Sequence, residues 1–197
     1  MYQAMICAVA LALLALLQPA AAADPGEAFL HLKGGRTTWS FDDFFGDSES
    51  SSTYGAQAGY RWHINADNSL GPEIGYIDFG KVDDDIGGFA SLKLKGTAVT
   101  VGLNYQLTFG SGSFFLDARA GYMHWRGRAS SQISLGSLGS YSASGDGSGD
   151  GEYAGAGVGY YLTRNFGLSM NYDFHTTTID HQRVRLGSFT VGADLRF

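Results

Sequence analysis

Proline and cysteine are nearly absent: the 197-residue chain carries Pro 3 and Cys 1, the latter at Cys7. Outside an N-terminal leader there is also no long apolar run, so nothing there can span a membrane as a helix, which takes about 20 consecutive apolar residues. What is present is glycine, 29 residues of it, with 44% hydrophobic and 14% aromatic content. So much apolar surface excludes a disordered chain. A glycine-rich, proline-poor composition favours strands and tight turns over helices, and the length suits one domain. In the leader, Ile6 to Leu17 form an apolar core, followed by Gln18, Pro19 and the small residues Ala20 to Ala23. This reads as a secretory signal over residues 1–23, cleaved before Asp24, with a single domain over 24–197. The core is too short for a retained membrane helix. Cys7 lies inside this leader, and a mature chain without a thiol suits passage through an oxidising periplasm.

The last stretch, GSFTVGADLRF from Gly187 to Phe197, shows the pattern most plainly. Phe189, Val191, Ala193, Leu195 and Phe197 fall on one side of an extended chain, and Ser188, Thr190, Gly192, Asp194 and Arg196 on the other. A soluble sandwich would rarely bury Asp194 and Arg196. A closed transmembrane barrel gives its apolar face to lipid and lines its interior with the polar one. The same period of two recurs over about 28–39, 53–62, 69–79, 92–107, 113–126, 152–162 and 166–177. Leu30, Tyr60, Ile74, Val101, Leu116, Val158 and Met170 belong to the lipid side of these strands. The expected fold is all-β, an eight-stranded antiparallel up-and-down transmembrane β-barrel, whose even strand number puts both ends on one side.

The connections at 63–68, 108–112 and 163–165 are short, and those after the first, third, fifth and seventh strands are longer and rich in Asp, Ser and Gly. Short turns belong to the periplasm and long loops to the outside, so both termini are expected in the periplasm. Trp62, Tyr60, Tyr105, Phe114, Phe166 and Phe197 then form a periplasmic aromatic girdle, and Trp39, Tyr76, Tyr122, Trp125, Tyr172 and Phe174 an outer one. With the terminal Phe197, the eight-strand pattern and the segments GPEIGYIDFG and YAGAGVGYYLTRNFGLSMNYDFH, the chain resembles the OmpA/OmpX type of outer-membrane protein, including its opacity-type, porin-like members. The resemblance implies the bacterial outer membrane. It also implies that Phe189, Val191, Leu195 and Phe197 are read by the barrel-assembly machinery. Only the membrane part of an OmpA protein is represented, so no peptidoglycan-tethering role is expected.

Sorted by position, Lys33, Arg61, Arg119 and Arg196 point inward and face Glu73, Asp117, Asp173 and Asp194. An eight-stranded lumen is only wide enough for side chains to fill. This balanced set is therefore expected to pair into a network that plugs the barrel, because an unpaired buried ion is costly. Arg36, Lys81, Lys93, Lys95, Arg126, Arg128, Arg183 and Arg185 lie at or above the outer ends of the strands. This collar is expected to hold lipopolysaccharide phosphates, for which arginine and lysine are suited.

Catalytic chemistry has little support. The histidines read HLK, HIN, HWR, HTT and HQR at His31, His63, His124, His175 and His181, and none gives the His-x-Ser arrangement of the family's deacylase relatives. His124 with Ser130, or His175 with Asp173, are the pairs that folding could bring together; otherwise such histidines serve to satisfy hydrogen bonds. No catalytic residue is assigned. In a third loop expected over 127–151, Asp146, Ser148 and Asp150 followed by Gly151 match the opening of a calcium loop, but its twelfth position is Gly157 where a bidentate Glu is required. No metal and no cofactor are expected. Asp42, Asp43, Asp47, Glu49 and Asp83 to Asp85 read as solubilising loop charges. The expected role is envelope integrity or adhesion-type surface interaction through the loops. The partners are outer-membrane lipid and lipopolysaccharide, the assembly machinery, and a host or surface ligand, with no nucleic acid. A narrow gated channel is the alternative reading and a lipid A-modifying enzyme the third.

Overall fold

A computed structural model describes residues 26–41, 49–86, 90–110, 112–134, 140–179 and 182–197. The leader and its cleavage site, Asp42, Asp43, Asp47 and His181 lie outside these residues, as do the side chains of Glu49, Asp83 to Asp85 and Arg183. The elements are β1 (Gly26–Phe41), β2 (Glu49–His63), β3 (Asn68–Ile86), β4 (Ala90–Phe109), β5 (Phe114–Ser134), β6 (Ser140–Tyr161), β7 (Phe166–Ile179) and β8 (Gln182–Arg196). Each pairs antiparallel with the next, and β8 returns to β1 to close the barrel.

Period-two alternation sets which side chain goes where. Val101, Leu103, Met170 and Val191 stand more than half exposed on the outer wall, while their chain neighbours Asn104, Asn171 and Thr190 are buried inside. The polarity is the inverse of a water-soluble barrel. Trp62, Tyr105, Phe114, Tyr160 and Phe197 ring the outer wall at the end carrying the short turns, and Tyr54, Tyr76, Tyr122, Tyr172, Phe174 and Phe189 ring it further up. Trp39 and Trp125, expected in the second ring, are instead inside at 3% and 8% exposure. Their positions are in phase with His31, Lys33 and Arg119, and an inward aromatic fills the lumen as well as an outward one anchors in lipid.

The short turns are built from local hydrogen bonds. Asn65 Oδ1 accepts from the backbone N–H of Asp67 and Asn68, both at 3.0 Å. Thr163 Oγ1 accepts likewise from Asn165 and Phe166. Between β4 and β5 the chain turns through Gly110 and Gly112, whose φ of 61° and 79° lie in the left-handed region that glycine enters without penalty.

At the other end the strands do not stop together. The β2–β3 ladder ends at Tyr54↔Asp78 and the β6–β7 ladder at Gly151↔Thr177, yet β3–β4 pairing continues to Ile86↔Ala90 and β5–β6 pairing to Ser134↔Ser140. The upper parts of β3, β4, β5 and β6 therefore form a four-stranded sheet projecting beyond the barrel wall. This corrects the loop expected over 127–151 and the long connection expected after the third strand. Glycine and serine are weak strand formers alone, but strand preference depends on the partner, and here β4 supplies a continuous one to β5.

The β2–β3 ladder is interrupted between Gly59↔Glu73 and Trp62↔Leu70, opposite Pro72, which has no N–H to donate. A separate bulge lies between Asp78 and Lys81, where β3 carries one residue more than β4. Gly80 takes φ of 79° there, and its N–H donates to Asp78 Oδ1 at 2.8 Å. Asp78 Oδ2 accepts from Tyr54 Oη at 2.9 Å and lies 3.5 Å from Lys95 Nζ.

Candidate functional site

The lumen is filled in layers. Near the short turns, Arg61 lies over the Phe29 ring at 4.2 Å and Arg196 over the Tyr161 ring at 3.8 Å. Glu27 joins the two cations, 3.4 Å from Arg61 and 3.7 Å from Arg196. Tyr161 in turn packs on Phe115 with ring centres 4.6 Å apart.

Above this layer Arg119 organises the interior. Its Nε donates to Asp173 Oδ1 at 2.7 Å, one terminal nitrogen to Asn171 Oδ1 at 2.7 Å, and the other to Gln57 Oε1 at 3.2 Å, with Asp117 3.5 Å away. Lys33 Nζ donates to the second oxygen of Asp173 at 2.7 Å. One carboxylate from β7 thus bridges cations from β1 and β5, a geometry that only a closed ring of strands provides. Glu73 departs from the expected pattern. Among the described residues no base lies within ion-pair distance of it; it accepts from Tyr153 Oη at 2.6 Å, Asn104 Nδ2 at 3.2 Å and Gln57 Nε2 at 3.4 Å. Three converging neutral donors thus stand where a basic partner was expected. Asp194 approaches His31 at 3.9 Å.

Higher still the chemistry changes to apolar. Trp39, Ile77, Phe79, Val82, Met123, Trp125, Val184 and Leu186 form a buried cluster across the lumen. Phe79 meets Trp39 edge-on at 6.1 Å and His175 edge-on at 5.0 Å, so His175 is the seam between the polar and aromatic layers. Trp39 Nε1 donates to Ser51 Oγ at 3.0 Å. Sequence reasoning missed this layer, Glu27 and Tyr153. The signal was available in the alternation, since Phe79, Trp125 and Tyr153 are in phase with inward neighbours.

The basic collar lies where outward positions are expected. Arg36, Lys81, Lys93, Lys95, Arg126, Arg128 and Arg185 are exposed, and Lys81, Lys95 and Arg128 stand directly opposite one another on β3, β4 and β5. Arg128 also pairs with Asp146 at 2.7 Å across to β6. Phe189, Val191 and Phe197 are exposed on the outer face of β8 and Leu195 is half-buried there.

The catalytic pairs weighed from sequence do not assemble. His124 and Ser130 are six positions apart along one extended strand, roughly 20 Å; His124 instead meets Asp150 at 2.8 Å on the exposed wall. Asp173 is taken up by Lys33 and Arg119, away from lipid. Asp146, Ser148 and Asp150 lie along strand β6 and do not curl around a point. Among the described residues no cluster of His, Cys, Asp or Glu could hold a metal ion.

A closed ring of eight strands, apolar outside and charged within, defines a transmembrane β-barrel of the outer-membrane kind. The model of the outer membrane protein beta-barrel domain matches residues 7–197, and the chain belongs to that family and to the bacterial outer membrane. Solved structures agree on the fold. The attachment invasion locus protein Ail of Yersinia pestis is 19% identical, with a TM-score of 0.57 over 87% of this chain and 99% of that one. The same protein in complex with the heparin analogue sucrose octasulfate gives 19% identity and a TM-score of 0.55 over 87% and 99%. Neisserial surface protein A gives 18% identity and a TM-score of 0.54 over 86% and 97%. No curated protein matches the chain. The resemblance to OmpA/OmpX-type barrels drawn from the sequence is thereby borne out.

Proposed function

We propose that this protein is a non-enzymatic, plugged outer-membrane barrel that engages an extended polypeptide of another protein through its projecting sheet. The observation that carries the reading is the free edge of β6. Residues 140–150 pair with β5 on one side, and among the described residues no strand pairs with them on the other. At about 3.3 Å per residue this leaves roughly 35 Å of edge. Exposed edges are ordinarily blunted by lysine, proline or a covering segment. This one is SYSASGDGSGD, with no lysine and no proline and with its two charges, Asp146 and Asp150, drawn to Arg128 and His124 of β5, and it suits strand addition by a partner. A name such as attachment invasion locus for a relative of like fold fits an adhesion-type role. In this reading the projecting sheet is extracellular, both termini are periplasmic, residues 1–23 are the secretory signal, and the β8 face ending in Phe197 is the mark read by the assembly machinery. The collar from Arg36 to Arg185 holds lipopolysaccharide phosphates; replacing Arg126, Arg128, Arg183 and Arg185 by Gln should lower the lipopolysaccharide that copurifies, and unchanged retention would overturn that part.

The test of the main reading is attachment of bacteria displaying the protein to a cultured cell layer, compared with a Ser142→Pro/Ser144→Pro/Ser148→Pro variant. Prolines placed along the edge remove donors and bend the strand, while the barrel below Gly151 stays paired. Attachment should fall to that of bacteria lacking the protein, with equal amounts of barrel in the outer membrane. Equal attachment by the variant would sink the reading.

A further inference from the structure

The lipid-facing wall is not equally thick all round. Across β3 and β4 its outward pairs include Ile74↔Val101 and Pro72↔Leu103, and across β7 and β8 Met170↔Val191 and Tyr172↔Phe189. Across β5 and β6 they are Ala118↔Ala156 and Ala120↔Ala154. Beside this thin strip Tyr122 stands 74% exposed on β5 and Phe174 42% exposed on β7. Between them lies a groove of about 470 Å³, floored by Ala120 and Ala154 and closed at its upper end by Glu152 and Thr176. Tyr122, Glu152 and Thr176 form one row of the sheet, on β5, β6 and β7.

What fills the groove follows from where it lies. Tyr122, Tyr172 and Phe174 belong to the upper ring of outward aromatics, so the groove opens on hydrocarbon and takes an acyl chain. A chain packed there gains contact rather than a hydrophobic advantage, because lipid is as apolar as the wall. Chemical selection therefore falls to the head of the groove. Glu152 is exposed there and makes no hydrogen bond or ion pair with the described residues. A carboxylate at the edge of the hydrocarbon calls for a hydrogen-bond donor. A glycerophospholipid offers none where its chains meet the head, since ester groups only accept. An amide-linked chain offers an N–H at that point.

We propose that the groove holds one acyl chain of an N-acylated sugar lipid, its amide N–H donating to the Glu152 carboxylate. Lipopolysaccharide carries chains joined in this way. Arg185 stands opposite Thr176 on β8, on the side from which the collar would hold a phosphate of the same molecule. The inference rests on the proposed function in placing this end of the barrel in the outer leaflet, and not on the collar or on the β6 edge.

The test uses the barrel refolded in lipid nanodiscs with ¹³C-methyl alanine. Ala120 and Ala154 report the groove, and Ala58, which faces lipid beside Leu30 and Ile74, reports the bulk bilayer. The probes are N-palmitoylethanolamine and 2-hydroxyethyl palmitate, which differ only in an amide N–H against an ester oxygen. The amide should shift Ala120 and Ala154 saturably, at about a tenfold lower mole fraction than the ester, and leave Ala58 nearly still. Glu152→Leu should erase the difference, whereas Glu152→Gln, which keeps an acceptor oxygen, should retain most of it. Ala154→Leu fills the floor and should abolish saturation at Ala120 with either probe. Equal binding of amide and ester, or a Glu152→Leu variant that still prefers the amide, would overturn the proposal. So would shifts at Ala58 matching those at Ala154, which mean partition into the bilayer alone. Should Ala154→Leu fail to refold, the amide-against-ester comparison in the parent protein decides. Neither probe carries phosphate, so failure here leaves the collar reading standing, and failure of the collar leaves this one.

Discussion

The two halves of the lumen fill the same narrow cylinder with opposite chemistry. Toward the short turns Arg119, Lys33 and Asp173 hold one another through charge and hydrogen bonds that must be satisfied individually. Toward the projecting sheet Trp39, Phe79 and Trp125 fill space chiefly through contact, with Trp39 also donating to Ser51. The charged half is specific and brittle, because removing one member strands the others in a poorly hydrated interior. The aromatic half is tolerant, because a smaller apolar residue leaves only a void. Both layers lie across the lumen.

The comparison breaks most directly at Arg119. Arg119→Ala leaves Asp173 and Asn171 without their shared donor and Asp117 without its ion-pair partner, and should lower the unfolding free energy by about 3–5 kcal/mol, measured by urea titration of the barrel in lipid vesicles. A loss under about 1 kcal/mol would show that water replaces the guanidinium freely. In the aromatic half, Phe79→Leu removes atoms but strands no charge, and about 1–2 kcal/mol is expected by the same titration. Planar-bilayer conductance sharpens the contrast further. Arg119→Ala should stay silent because the aromatic layer persists, and Trp39→Ala/Trp125→Ala should stay silent because the charged layer persists. Only the combined variant should show steps; steps from Arg119→Ala alone would make the charged layer a gate and revive the channel reading.

Smaller effects separate the halves along one strand. Gly155→Ala drives a methyl onto Asp173 and should destabilise by about 1–3 kcal/mol, whereas Gly145→Ala, with open space around it, should leave the urea midpoint unchanged. The smallest effect concerns the exposed pair above the aromatic ring. Arg128 holds the Asp146 carboxyl below the usual carboxylate range through its hydrogen bond and charge. The sign follows: the pair contributes above the ordinary aspartate range and is lost as pH falls through the lowered value. A ¹³C titration of Asp146 should move up to the ordinary value in Arg128→Gln, with no measurable change in stability, because both groups are exposed.

Much of this architecture is legible in the alternation of residues, and the reason is physical. With period two, one inward residue fixes the facing of its whole strand, so Asp194 and Arg196 in β8 reveal which side is the interior. What alternation does not carry is the chemistry of each layer. Phe79, Trp39 and Trp125 look like lipid anchors when aromatics are counted, and only their phase with polar neighbours places them inside. Glu73 shows a second limit. Its charge suggests a basic partner, but Tyr153 and Asn104 come from β6 and β4, and convergence of neutral donors is a property of closure, not of any one strand. The upper halves of β5 and β6 were illegible for a third reason. Serine and glycine give no apolar rhythm, and pairing with β4 supplies the order that composition withholds.

The extra residue of β3 gives the chain a phase slip. Below Asp78 the odd-numbered residues of β3 face the lumen; beyond the bulge Val82 is buried and Lys81 is exposed, so the count has changed parity. Gly80 therefore acts as a frame marker for everything above it. Deleting Gly80 would remove the bulge and leave Lys81 opposite Lys95 on the outside and Val82 inside, whereas flattening the bulge with Gly80 kept would turn Lys81 toward Trp39 and Trp125 and Val82 to the outside.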